Sequence, residues 1–222
     1  MGSLFNAALK NWESASQEGA VAITLFDAGL QQFFGAKKVW NQRRITLDAL
    51  GMETAYTNFE ERTRDEEATG ALKAERALVR LQAALQSLTE CVSVMWDSVS
   101  EIRGKVRAIS DGEGEERWRP VAQYAEILSA CADMHNKDLQ LKLAVGQALT
   151  LNSSVAEAKA MGIAWSACVD IREDFKQKVL EAIAEEANVS GAAGTGGGGA
   201  KGAQSGKSKK KKSKKPSEEA SS

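Results

Sequence analysis

The chain of 222 residues has a single histidine, His135, on which any histidine-based catalytic triad or multi-histidine metal site would have to centre. Asp133 and Asp138 lie near it in the sequence, but no nucleophile motif accompanies them. Because His135 falls on an apolar helical stripe, the sequence predicts a structural histidine that is hydrogen-bonded or half-exposed. Catalysis is the third of three hypotheses, and a buried polar pocket around His135 and Asp138 would be its first support.

Two other patterns resemble reactive or ligand-binding sites. Acidic clusters occur at residues 60–61, 65–67, 115–116 and 185–186, but all fall at predicted helix ends or in loops, whereas catalytic carboxylate pairs need burial to separate their acidities. Residues 202–208 read Gly-Ala-Gln-Ser-Gly-Lys-Ser, with three residues between the glycines where a phosphate-binding P-loop has four. We therefore predict no catalytic residue, no metal ligand and no cofactor, and we expect that the protein is not an enzyme.

The lysine-rich C-terminus is the one specific functional motif in the sequence. From Lys201 onward eight lysines stand against two glutamates, a net charge of +6, which leaves −7 for residues 1–200. Such a run is typical of nuclear import or of contact with nucleic acid or an anionic membrane. Without aromatic residues or arginines, any nucleic-acid binding would be weak and non-specific. A tail that only solubilises the chain is the other alternative. The electrostatic residues are Lys207, Lys209, Lys210, Lys211, Lys212, Lys214 and Lys215.

The elements that position these residues are predicted to be helices. Only two prolines occur, good helix formers dominate the body, and almost nothing alternates as a strand would. From residue 71 to residue 109 apolar residues recur every three or four positions, which predicts a long central helix. Its flanking positions are mostly small and uncharged, which favours a multi-helix bundle over a solitary dimeric coiled coil. They are Ala77, Ala84, Cys91, Ser98 and Lys105 on one side of the stripe, and Glu75, Gln82, Thr89, Trp96 and Arg103 on the other. The stripe comprises Leu78, Leu81, Leu85, Leu88, Val92, Met95, Val99, Ile102, Val106 and Ile109.

We thus predict an all-α protein, an antiparallel bundle of four or five helices over residues 1–189, with self-association of a coiled coil as the alternative. A Gly-rich flexible linker follows at residues 190–206, and a disordered polylysine tail at residues 207–222, because these segments lack the apolar residues needed to fold.

Helix boundaries are less regular. We place a second helix over residues 37–64 with Ile45, Ala49, Met52, Tyr56 and Phe59 on one stripe, then a turn near Thr69-Gly70, although one long helix bent at Gly70 fits nearly as well. A loop is expected at residues 110–116, a helix from Pro120 to about residue 149, and a last helix that begins with the capping box of Ser154 and Glu157 and ends near Asn188. Its predicted buried face is Ile163, Ala167, Ile171, Phe175, Val179 and Ile183.

Residues 19–36 form the most apolar segment of the body. They are slightly too few to span a bilayer and contain Asp27, so a membrane span is not expected. The segment is either a core helix or an amphipathic helix that enters a membrane surface. Its candidate membrane or partner face consists of Ile23, Phe26, Leu30, Phe33 and Phe34.

The three cysteines, Cys91, Cys131 and Cys168, lie far apart without metal-ligand spacing, so buried free thiols in a reducing compartment are expected. No signal peptide is apparent at the N-terminus. Both observations predict an intracellular protein of the cytoplasm or nucleus.

These observations lead to two functional hypotheses. The first is a non-enzymatic helical scaffold or adaptor that binds partner proteins, with the polybasic tail adding electrostatic attachment or nuclear localisation. The alternative is a membrane-acting bundle of the pore-forming or cell-death type, which would insert residues 19–36 and use the tail on anionic lipid; this alternative rests on analogy of layout alone.

Overall fold

The computed structural model describes residues 2–110, 115–167 and 171–193, and these form five helices. They are α1 (Gly2–Leu50), α2 (Glu53–Ser110), α3 (Glu115–Ala148), α4 (Val155–Ser166) and α5 (Glu173–Ala193). No strand occurs in these ranges, so the all-α prediction and the predicted number of helices are confirmed. The predicted linker beyond residue 193, the polylysine tail and most of the loop at residues 110–116 lie outside the described residues.

The first two helices form one long hairpin that turns at Gly51. Gly51 has a φ of 63°, and its N–H donates to the carbonyl of Asp48, as in the glycine-terminated end of many helices. The predicted helix over residues 37–64 is therefore wrong, because the turn lies inside it. Its stripe is wrong too, since Ile45 and Met52 are exposed.

A close crossing of two glycines replaces the turn predicted near Gly70. Helix α2 runs unbroken through this position. A Cβ atom on Gly29 would lie 2.7 Å from the backbone nitrogen of Ala74, and one on Gly70 would lie 2.6 Å from that of Phe33. Gly70 is therefore a point of contact between α1 and α2, where only a residue without a side chain fits.

The core lies beside this crossing and is built around α2, as the apolar stripe predicts. The predicted small flanks Ala77, Ala84, Cys91 and Ser98 are also buried, so α2 is covered on more than one side. Among the described residues, the core cluster includes none between Leu30 and Ala74. We call residues 31–73 the arm, because here α1 and α2 extend past the bundle as a two-helix hairpin. The stripe residues that are fully buried are Leu81, Leu88, Val92, Met95, Val99 and Ile102.

The C-terminal part differs from the prediction in two respects, the number of helices and the buried face of α4. The predicted capping box is present, since the Ser154 hydroxyl accepts from the N–H of Glu157 and the Glu157 carboxylate accepts from the N–H of Ser154. The single last helix is wrong, because α4 ends at Ser166 and α5 begins at Glu173. Ile163 is 74% exposed and Ala167 is exposed as well, instead of buried; Ala158 and Trp165 are the α4 residues that lie in the core.

Trp165 is seated in a space left by a glycine of α1. A Cβ atom on Gly19 would lie 2.0 Å from the indole ring, and the ring nitrogen donates to the carbonyl of Ser16 at 2.9 Å. The packing of α4 against α1 thus depends on the large ring of Trp165 lying over Gly19, which has no side chain.

Candidate functional site

The first candidate site is a polar cluster on the buried side of α3. His135, Asp138 and Lys142 follow at intervals of three and four residues, so they lie on one face of the helix. All three are buried. Lys142 Nζ lies 2.8 Å from Asp138 Oδ2, donates to the carbonyl of Trp165 at 3.0 Å, and stands 5.2 Å from the centre of the Trp165 ring. The ion pair therefore ties α3 to the end of α4.

His135 is held in a neutral form. Its Nδ1 lies 2.9 Å from the carbonyl oxygen of Cys131, which can only accept, so Nδ1 carries the proton. The ring packs edge-on against Trp12 with a centroid separation of 5.0 Å. Burial lowers the pKa of His135 below its usual value. The predicted hydrogen bond of His135 is present, and its ring is buried rather than half-exposed.

The two described cysteines are free and buried, as predicted, while Cys168 lies outside the described residues. Burial raises the pKa of Cys131 to about 12, so its sulfur is a thiol and not a nucleophilic thiolate at neutral pH. The Cys131 sulfur lies 3.7 Å from His135 Nδ1, the nitrogen that already bears a proton. This pair therefore lacks the base and the thiolate that nucleophilic catalysis requires.

A surface cleft of about 340 Å³ opens next to His135. Trp12, Trp165 and an ion pair between Glu13 and Lys176 contribute to its walls. Asp138 and Lys142 do not line it, so the buried ion pair of α3 has no described route to a ligand in this cleft. Within the described ranges, no group of three or more His, Cys, Asp or Glu side chains could hold a metal ion.

The predicted membrane or partner face is divided by the fold. Ile23, Phe26 and Leu30 are buried in the core, Phe33 is half-buried, and Phe34 is 38% exposed. Phe33 and Phe34 contact each other edge-on at 5.1 Å. A membrane-crossing helix would need a longer apolar stretch than any described helix contains. The electrostatic lysines of the tail lie outside the described residues.

The second candidate site is a side of α1 and α2 that no other described helix covers. On α1, seven exposed residues recur at alternating intervals of three and four, and four of them are apolar. We call them the α1 stripe: Leu4, Ala7, Asn11, Ser14, Glu18, Val21 and Leu25. On α2, nine exposed residues recur at the same alternating intervals of three and four. We call them the α2 stripe: Lys73, Arg76, Arg80, Ala83, Ser87, Glu90, Val94, Asp97 and Glu101.

The two stripes lie side by side and flank a shallow groove. One depression of about 460 Å³ is lined from Leu4 and Ser14 on α1 to Ser87 and Val94 on α2. A second, of about 570 Å³, shares Ser14 and continues to Arg80 and Ala83. We call the two stripes and this groove the open face. Small side chains form its floor, as in surfaces that admit the backbone of another helix closely.

Sequence reasoning missed both candidate sites in part. It named His135 and Asp138 but not Lys142, although the interval of seven residues from His135 places Lys142 on the same face. It assigned the apolar residues of α2 and their small flanks to a core and made no prediction for the other positions of the helix. The signal that would have found the open face is the separation of charge along the α2 stripe, which is basic at its start and acidic at its end. The basic residues are Lys73, Arg76 and Arg80, and the acidic ones are Glu90, Asp97 and Glu101.

Comparison of the sequence with protein-family models gave no match. Comparison with curated proteins and with solved structures gave none either.

Proposed function

We propose that this chain is a non-enzymatic helical scaffold or adaptor that binds a protein partner on its open face. The lysine-rich tail of residues 207–222 adds electrostatic attachment or nuclear localisation. The observation that carries the proposal is the exposure of the α1 stripe, in which Leu4, Val21 and Leu25 are 60%, 51% and 40% exposed on one side of one helix.

Exposed apolar residues that are scattered singly need no explanation, but aligned ones do. The α1 stripe keeps a seven-residue repeat from Leu4 to Leu25, and the α2 stripe keeps the same repeat beside it. Two such stripes beside a groove of small residues match the helix-in-groove mode of protein recognition. Burying a fully exposed leucine or valine side chain contributes about 1.5–3 kcal/mol, and because Leu4, Val21 and Leu25 are 40–60% exposed, a partner that covers them gains roughly half of that for each.

The chemistry of the α3 cluster supports a structural role more than a catalytic one. Lys142 and Asp138 neutralise each other out of contact with solvent, and His135 is neutral with one nitrogen already bonded. Groups that catalyse proton transfer need access to a substrate proton. We therefore assign these residues to holding α3, α4 and α1 together.

The membrane-acting alternative would need the core to open. Ile23, Phe26 and Leu30 are each at most 2% exposed. Removing three such side chains from the core forfeits about 5–9 kcal/mol, which is comparable to the whole stability of a typical domain. Flotation with anionic vesicles tests this alternative: it predicts binding that the double variant Phe26→Glu/Phe33→Glu abolishes, whereas the scaffold proposal predicts no insertion by the wild type.

Site-specific photo-crosslinking in cells that express the chain tests the scaffold proposal. A photo-reactive amino acid is placed at Val21 or Val94 on the open face, and at Leu151 or Ile163 as exposed apolar controls elsewhere. We expect discrete protein adducts from the open-face positions and few or none from the controls. Equal yields from both sets, or no adduct from the open face, would contradict the proposal.

A further inference from the structure

We propose that the partner on the open face is a second copy of this chain, bound antiparallel, with α1 on α1 and α2 on α2 of the two copies. The inference rests on the proposed function, because it names the occupant of the same surface. It follows from the order of residues along both stripes, which is self-complementary when one copy is reversed.

A two-fold axis in the plane between two copies, perpendicular to the helices, reverses each helix and places it over its own counterpart. Residues then pair at equal distances on either side of the axis. Both stripes have a serine near the same height of the hairpin, because Ser14 and Ser87 line the same depression. An axis through these two serines puts small side chains at the centre of the contact.

Reversal about Ser87 brings opposite charges together on α2. Lys73 of one copy meets Glu101 of the other, since the two lie fourteen positions from Ser87 on opposite sides. Arg76 meets Asp97 in the same way, within one residue of equal spacing. Because the contact is isologous, each of these pairs occurs twice. The two outer basic residues of one stripe therefore meet the two outer acidic residues of the other, whereas Arg80 meets Val94 and Glu90 meets Ala83.

Reversal about Ser14 brings apolar residues together on α1. Ala7 lies seven positions before Ser14 and Val21 seven positions after it, so they meet across the axis. Leu4 and Leu25 are matched within one residue of equal spacing. All four are exposed in the single chain. The same axis thus matches apolar with apolar on α1 and basic with acidic on α2.

The Arg76 and Asp97 side chains are available for such contacts, because both are exposed and neither makes an ion pair with any side chain that the structure describes. Lys73 Nζ donates a hydrogen bond to Gln32 Oε1 at 2.8 Å in the single chain, so it would have to exchange this partner for Glu101. The face is roughly 20 Å wide and 35 Å long, about 700 Å² per copy, close to the roughly 800 Å² per partner of a standard stable interface. Because α3, α4 and α5 pack on the other sides of the hairpin, they do not obstruct it.

Sedimentation equilibrium of the full chain and two charge-reversal variants, Arg76→Glu and Asp97→Lys, tests the inference. We expect the wild type to dimerise and each variant alone to dimerise at least about tenfold more weakly, since two attractive contacts become repulsive. An equimolar mixture of the two variants should recover dimers of wild-type affinity. In the mixed dimer the acidic group introduced by Arg76→Glu meets the basic group introduced by Asp97→Lys, and the second pair of contacts keeps its native residues. Lys159→Glu, a charge reversal on exposed α4, is the matched control and should leave the dimer unchanged.

A wild type that stays monomeric, or a mixture that fails to recover dimers, would overturn the proposed pairing. Val21→Glu adds an independent check on α1, with Ile163→Glu as its control; dimers unaffected by Val21→Glu would also overturn it. The experiments distinguish failure of the self-pairing proposal from failure of the scaffold proposal. A monomeric chain whose open-face crosslinks capture a different protein would refute self-pairing and leave the docking surface intact.

Discussion

Alanine at the glycine crossing should destabilise the protein, although alanine ordinarily stabilises a helix. In a helix interior, replacing glycine with alanine contributes about 0.8–1.0 kcal/mol of stability. At Gly29 and Gly70 the added Cβ would lie 2.7 and 2.6 Å from backbone atoms of the opposite helix, well inside the 3.4 Å of ordinary contact. Neither helix backbone can rotate away as a flexible side chain would, so the helices must separate.

The magnitude follows from these two opposing effects. Overpacking of a tight contact costs about 1–3 kcal/mol. Because both clashes are with backbone, we take the upper part of that range and expect a net loss of about 1–2 kcal/mol for Gly29→Ala and for Gly70→Ala, even after the helix propensity is gained. For a chain of this size, such a loss lowers the melting temperature by roughly 2–8 °C.

Two glycines of the same helices provide matched controls. Nothing lies within 4 Å of a Cβ placed on Gly35 in α1 or on Gly104 in α2. Their alanine variants should therefore show the effect of helix propensity alone, about 0.5–1 kcal/mol of added stability and a melting temperature roughly 1–4 °C higher.

Urea unfolding followed by far-ultraviolet circular dichroism measures all four variants. The reasoning is refuted if Gly29→Ala and Gly70→Ala are as stable as Gly35→Ala and Gly104→Ala. Because the first two share one contact, the double variant should lose less stability than the sum of the single losses.

Three further predictions concern the polar cluster and the tail. Because the folded state lowers the pKa of His135, the free energy of unfolding should fall as pH drops below about 6.5, by up to about 1.4 kcal/mol per pH unit. Urea titrations at several pH values measure this dependence, and the His135→Gln variant should lack the contribution of His135 to it. Lys142→Met leaves Asp138 buried without its partner and should cost about 3–5 kcal/mol, whereas Asp138→Leu/Lys142→Met should be more stable than Lys142→Met; equal stabilities would contradict this account of the ion pair. Deleting residues 194–222 should change the free energy of unfolding by less than about 0.5 kcal/mol, and a large drop in melting temperature would show that the tail is not an independent module.

The parts of the fold that depend on local chemistry were predictable from the sequence. The Ser154–Glu157 capping box involves neighbouring residues only, and the α2 stripe repeats regularly enough to specify its buried side. The small flanks Ala77 and Ala84 correctly indicated more than one packing partner. Such features need no knowledge of where the rest of the chain lies.

The errors arose where a distant residue decides the outcome. The apolar stripe changes phase near Gly70, which suggests a break in the helix, yet Gly29 in the opposite helix makes Gly70 a packing contact. Hydrophobicity alone assigns Ile163 to the core, but Trp165 takes that role because Gly19 leaves room for its ring. The open face is likewise a property of two helices in register, and periodicity within either helix does not reveal it.

The hairpin of α1 and α2 lies partly inside the helical bundle and partly outside it, in the arm. Amide hydrogen exchange should therefore differ between the two parts of each helix. Residues 2–30 and 74–110 pack against other helices on the side away from the open face, whereas the arm between them has only its own two helical segments for protection. Backbone amides of the arm should therefore exchange through local unfolding of low free energy, whereas those of the bundle should exchange only when the whole protein unfolds. Along each helix, the exchange rate should change at the glycine crossing and not at a helix end.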